Sequence, residues 1–157
     1  MIEIIKEKTC AVTGHRIIKP DLDKIALERC FETLILGGFD TFLIGMAIGF
    51  DTLCFQILER FRKKHPIKII ACIPCVEQDK CFTLAQKKEY KRMISVADDK
   101  VILCQNYTPY CMMARNKFMV DNSVSLVAYL NENKGGTFST VKYAKEKGVS
   151  IIKVNVK

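Results

Sequence analysis

Short β-branched, apolar runs alternate with amphipathic helical stretches along the whole chain, and this alternation restricts the fold more than any other feature. Runs at 8–13, 41–45, 68–73, 101–104, 125–130 and 150–154 read as strands. Between them, apolar residues recur at helical spacing: Leu22, Ile25, Ala26, Cys30 and Leu34 in the first interval, and Leu53, Cys54, Ile57, Leu58 and Phe61 in the second. Pro20-Asp21 opens the first helix and Gly37-Gly38 stops it. Further helices are expected at about 51–64, 83–97, 112–121 and 138–147. Continuously apolar strands are buried on both sides, which requires a parallel sheet with helices on both faces. The expected architecture is therefore one Rossmann-like α/β domain over residues 1–157, with a mostly parallel sheet of about six strands.

Composition narrows the class. The chain has 157 residues, 49% hydrophobic and 27% charged, which fits one folded domain and excludes a disordered tract. Its apolar runs fall short of the roughly 18 residues a membrane span needs. Charged residues interrupt the N-terminal MIEIIKEKTC, so it does not read as a signal peptide, and a cytoplasmic protein is expected. The 25 basic and 17 acidic residues give a net charge of +8, which suits a polyanionic partner. The excess is spread out, however. Lys87, Lys88, Lys91 and Arg92 form a compact basic stretch, and a solvated helix face accounts for it.

Most of the eight cysteines lie inside apolar runs, as expected of buried free thiols in a reducing compartment. The single CxxC, Cys72 to Cys75, ends a strand-like segment, whereas redox pairs favour a helix N-terminus. No second CxxC and no HxxxH accompanies it, so no zinc site is read. No metal, no cofactor and no catalytic residue is assigned.

Ligands of open parallel sheets bind beyond the carboxyl ends of the strands. Thr13, Gly14, His15 and Arg16 follow the first strand, and Gly45, Met46, Gly49 and Asp51 follow the second. Pro74 and Gln78 follow the third, Arg115 and Asn116 lie beyond the fourth, and Gly135, Gly136, Thr137 and Thr140 follow the fifth. Glycine-rich strand-to-helix turns let backbone N–H groups approach an anion, and the helix adds its positive end. A guanidinium fork suits phosphate or carboxylate, and Arg16 and Arg115 are two of six arginines. Asp51 opens a helix, where it either caps the helix or meets a ribose hydroxyl. Each feature alone is weak; their gathering at one sheet edge points to a binding pocket.

These residues resemble the SLOG superfamily, which includes the Smf/DprA and Lonely Guy proteins, and within it the YpsA-like branch. The resemblance rests on TGHR at 13–16, GMAIGFDT at 45–52, and Ile73-Pro74 with Gln78. It continues through ARNKFMVDNS at 114–123 and KGGT at 134–137 with Thr140. It implies a Rossmann-like fold with a strand-end pocket for a nucleotide or nucleotide-derived small molecule, acting as a sensor or a sequestering protein. It also makes a homodimer or higher homo-oligomer the expected assembly.

One departure bears on chemistry. Lonely Guy phosphoribohydrolases resemble PGGxGTxxE, whose glutamate assists cleavage of the base–ribose bond. Aligned on Gly135 and Gly136, this chain has Lys142 in the place of that acid. A cation cannot serve as a carboxylate base or stabilise positive charge developing on the sugar. Binding is thus favoured over cleavage of a nucleotide N-glycosidic bond, which stays open as an alternative through Asp51 or His15. Single-stranded DNA binding, as in the DprA relatives, is a further alternative, supported by the net charge and by Tyr107, Tyr110 and Phe118.

Overall fold

A computed structural model describes residues 2–154 and residue 156. Six strands form one sheet: β1 (Thr9–Gly14), β2 (Thr41–Ile44), β3 (Lys68–Cys75), β4 (Asp99–Cys104), β5 (Ser125–Tyr129) and β6 (Ser150–Lys153). Five helices connect them: α1 (Lys24–Leu36), α2 (Phe50–Arg62), α3 (Leu84–Val96), α4 (Cys111–Asp121) and α5 (Gly135–Glu146). The strand order is β4-β3-β2-β1-β5-β6, and every neighbouring pair is parallel. The sheet is thus wholly parallel, and its elements fall where the hydrophobic pattern puts them.

The two faces separate the core by strand parity, because successive side chains point to opposite sides. Cys10, Val12, Phe42, Ile44, Ile69 and Ala71 meet Phe31 of α1, Phe55 and Leu58 of α2, and Met93 of α3. Ala11, Leu43, Ile70 and Cys72 meet Met119 and Val120 of α4, and Val141 and Ala144 of α5. Cys72 is buried on the α4 and α5 face, and Cys75, at the end of the strand, lies beside Cys111 of α4.

Two helix starts differ from the sequence expectation. The first helix begins at Lys24 because Asp23 supplies the cap, its carboxylate accepting from Ala26 N at 3.0 Å. The fifth begins at Gly135, so its glycines form the first turn instead of preceding it. That shift puts backbone N–H groups with no intrahelical partner where the sequence analysis looked for a phosphate-binding turn.

Candidate functional site: a cleft at the switch point of the sheet

From β1 the chain moves outward through β2, β3 and β4, then returns to place β5 on β1's other side. The connections leaving β1 and β5 diverge to opposite faces, which opens a crevice at their carboxyl ends. A cleft of about 470 Å³ lies there. Its walls come from the segments after β1, β2 and β5 and from α4.

The β1 wall is built by His15. Its Nε2 accepts from Asn131 N at 3.0 Å, which leaves the proton of the neutral ring on Nδ1. The ring lies edge-on to Tyr129, whose own ring stacks on Phe50. Tyr129 Oη in turn accepts from Lys19 N and from Asn131 Nδ2, each at 3.1 Å. Phe50 N, in the first turn of α2, donates to the His15 carbonyl at 3.2 Å. The segments after β1 and β5 and the start of α2 are thereby joined.

The β2 turn forms the floor, and two of its glycines have steric reasons. Gly49 has φ +81°, and a Cβ there would lie 2.1 Å from the Arg16 carbonyl oxygen. At Gly45 a Cβ would lie 2.7 Å from Arg115 Nη1 and 3.0 Å from Asp51 Oδ2. The Gly45 carbonyl accepts from Arg115 Nη1 and from Gln78 Nε2, the latter at 2.9 Å. Gln78 is held in turn by Tyr90 Oη, which donates to Gln78 Oε1 at 3.0 Å.

Asp51 and Arg115 are each only 6% exposed. Arg115 Nε donates to Asn116 Oδ1 at 2.7 Å, and Nη1 also reaches the Cys72 carbonyl at 3.5 Å. Its Nη2 has a weak contact with Met112 Sδ at 4.0 Å. Burial lowers the Arg115 pKa, partly offset by the facing Asp51 carboxylate. Asp51 Oδ2 accepts from Ala47 N at 3.1 Å, whereas Oδ1 has no partner. Burial raises the Asp51 pKa to about 6, against the opposing pull of Arg115, the Ala47 N–H and Arg16.

The α5 wall presents a helix N-terminus. The cap residue Lys134 makes no side-chain capping bond and the first turn contains no acid, although Glu132, just before the cap, also lines the cleft. Gly136 and Thr137 line the cleft.

Of the residues singled out from sequence, the cleft gathers Thr13, Gly14, His15, Arg16, Gly45, Asp51, Arg115, Asn116, Gly136 and Thr137. It does not gather the other six. Met46 and Gly49 border a separate, largely apolar cavity of about 410 Å³ between α2 and α3. Pro74 lies within β3, and Gln78 is a buried brace for Gly45. Gly135 starts α5 without lining the cleft, and Thr140 spends its hydroxyl on the Gly136 carbonyl at 2.7 Å. Lys19, Asn131, Glu132 and Met112 were not among the residues expected from sequence, and all four line the cleft. Lys142 is exposed on α5 and is not among the lining residues. Among the described residues, no group of three His, Cys, Asp or Glu side chains is placed to hold a metal. No described helix is long and apolar enough to cross a membrane.

Known proteins share both sequence and fold with this chain. The SPbeta prophage-derived protein YoqJ of Bacillus subtilis (strain 168) is 35% identical over 118 residues, covering 67% of this chain and 69% of that protein. A UPF0398 protein of Bacillus cereus (strain G9842) is 26% identical over 155 residues, covering 90% of this chain and 84% of that protein. Among solved structures, DNA processing protein A (DprA) of Streptococcus pneumoniae superposes with a TM-score of 0.70 at 18% identity, and that of Helicobacter pylori with 0.69 at 18%. Each superposition covers 94% of this chain, but the chain spans only 50% and 65% of those proteins. At that identity the likeness establishes the fold alone. The family model described as the YspA SLOG family (YpsA) matches residues 12–154, from the middle of β1 past the end of β6, and the chain belongs to that family.

Proposed function

We propose that this protein binds a nucleotide or nucleotide-derived small molecule in the β1/β5 cleft, as a sensing or sequestering module of the cytoplasm. The observation that carries this reading is a convergence. Arg16, the uncapped first turn of α5 and the buried Asp51–Arg115 pair open on one cleft, although they are far apart in sequence. The uncapped amides and Arg16 suit phosphate oxygens, and Met112, Met119 and Val12 supply apolar surface for a ring. Calorimetry against mononucleotides, cyclic nucleotides and ADP-ribose tests it. Saturable binding that weakens at least tenfold in Arg16→Ala is expected. A folded sample that binds none of them overturns it.

A second reading is single-stranded DNA binding, favoured by the likeness to H. pylori DprA, whose structure concerns a single-stranded DNA binding mode. The +8 net charge supports it too. Polymer binding falls steeply with added salt and strengthens with strand length. An affinity for oligonucleotides that ignores both removes this reading. N-glycosidic cleavage has less support: Lys142 cannot replace a carboxylate, and release of free base from a bound monophosphate would be needed to restore it.

A further inference from the structure

The floor of the cleft holds a buried acceptor without a partner beside a guanidinium nitrogen with only a weak one. Among the described residues, Asp51 Oδ1 is the one buried side-chain nitrogen or oxygen with no hydrogen-bond partner. Its side chain is more than nine-tenths buried and borders the cleft. Close by, around the same point that a Gly45 Cβ would occupy, lies the Arg115 guanidinium, whose Nη2 has only a sulfur neighbour. A buried polar atom without a partner is costly, and such exceptions in folded proteins call for an explanation. Asp51 is not spent on capping α2 either, because Gly49 occupies the cap position.

The chemistry of these two groups restricts what satisfies them. An ionised carboxylate only accepts hydrogen bonds, and a guanidinium only donates them. A fully ionised phosphate accepts without donating, so it can satisfy Nη2 but not Oδ1. A hydroxyl does both: its proton goes to Oδ1, and its oxygen accepts from Nη2. We infer that the Asp51–Arg115 floor is a subsite for a ribose hydroxyl, so that the ligand lies with its sugar toward β2 and its phosphate toward the first turn of α5. This inference rests on the proposed nucleotide reading of the cleft and adds an orientation and a sugar specificity to it.

A proton accompanies the event. Burial holds the Asp51 carboxyl at about 6. The groups facing it are Arg115 from α4, Arg16 from the segment after β1, Cys54 on its own helix and Cys72 from β3. A donated hydroxyl stabilises the ionised form, so binding near pH 6 drives a proton off Asp51. Preference for the hydroxyl-bearing ligand is therefore greatest above pH 6 and shrinks as pH falls below it.

The experiment is titration calorimetry of the whole chain with the four ribonucleoside 5′-monophosphates, their 2′-deoxy and 3′-deoxy counterparts, and inorganic phosphate. It is run on wild type and Asp51→Asn at pH 7.5 and pH 5, in buffers of different ionisation enthalpy. At least one ribonucleotide is expected to bind tenfold or more tightly than one of its deoxy counterparts at pH 7.5. That ratio is expected to drop at pH 5. In Asp51→Asn, where Ala47 N–H orients the amide NH2 toward the ligand, the ratio falls below threefold. Wild type is also expected to release more protons on binding at pH 5 than Asp51→Asn does, the phosphate's own titration cancelling in the comparison. Equal affinity for ribo and deoxy forms, or a ribose preference unchanged in Asp51→Asn, overturns the subsite while leaving phosphate binding in place. If neither nucleotides nor phosphate bind, the nucleotide reading of the cleft falls and the subsite with it.

Discussion

Asp51 shows how one residue can be costly to the fold and useful to the site. Its pKa of about 6 in the folded chain exceeds the 3.8 of a free carboxyl, so folding favours its protonated form. Stability from this group is therefore fully present below about pH 3.8 and is lost as pH rises through 6. The shift of about two units corresponds to roughly 3 kcal/mol at neutral pH. Asp51→Asn, which resembles the protonated acid, is expected to be more stable than wild type at pH 7.5 by up to that amount. The difference should shrink toward pH 4, as urea denaturation at several pH values would show. Gly49 lies at the opposite extreme, because it has no substitute. Gly49→Ala sets a methyl 2.1 Å from the Arg16 carbonyl at φ +81°, and a loss of at least about 2 kcal/mol is expected in the same assay.

Among the elements, α3 buries only Tyr90 and Met93 and depends on polar contacts for its seat. Arg92 grips Glu59 of α2 through two bonds of 2.9 Å and pairs with Glu89 at 2.7 Å, while Gln56 of α2 donates to Glu89 at 2.9 Å. These bonds hold the Glu89 carboxyl down at about 2. A depressed acid contributes stability that is present above its ordinary range near 4.5 and is lost as pH falls through 2. Arg92 is 43% exposed, so solvent screening limits the effect. Arg92→Ala is expected to cost about 1 kcal/mol, less at high salt, measured by thermal unfolding at two salt concentrations. The element pattern itself was readable from sequence, because local hydrophobic period and breaker residues encode it. Helix starts were less so. Pro20-Asp21 was the expected opener, and the bond from Ala26 N to Asp23 Oδ1 moves the start to Lys24.

For the whole molecule, the strand order matters most. Joining β5 to β1 places Asn131 against His15 and the first turn of α5 opposite the turn that follows β2. A ligand in the cleft must touch all of these segments at once. Saturating ligand is therefore expected to slow hydrogen exchange together at 14–19, 45–51 and 131–137, leaving the edge strand β4 unchanged. Slowing at β4 with no change at 131–137 would place binding elsewhere on the surface.

The sequence by itself determined the succession of strands and helices and the sheet edge where glycines, hydroxyls and arginines collect. Both are local properties of composition and spacing. Only the tertiary structure decided which of those residues meet. It turned Gln78 and Thr140 inward as braces, brought in Lys19 and Asn131, and committed Arg115 Nη1 to the carbonyls of Gly45 and Cys72. Partners of that kind depend on strand order and on packing across long stretches of chain, where each polar group takes whichever mate burial leaves within reach.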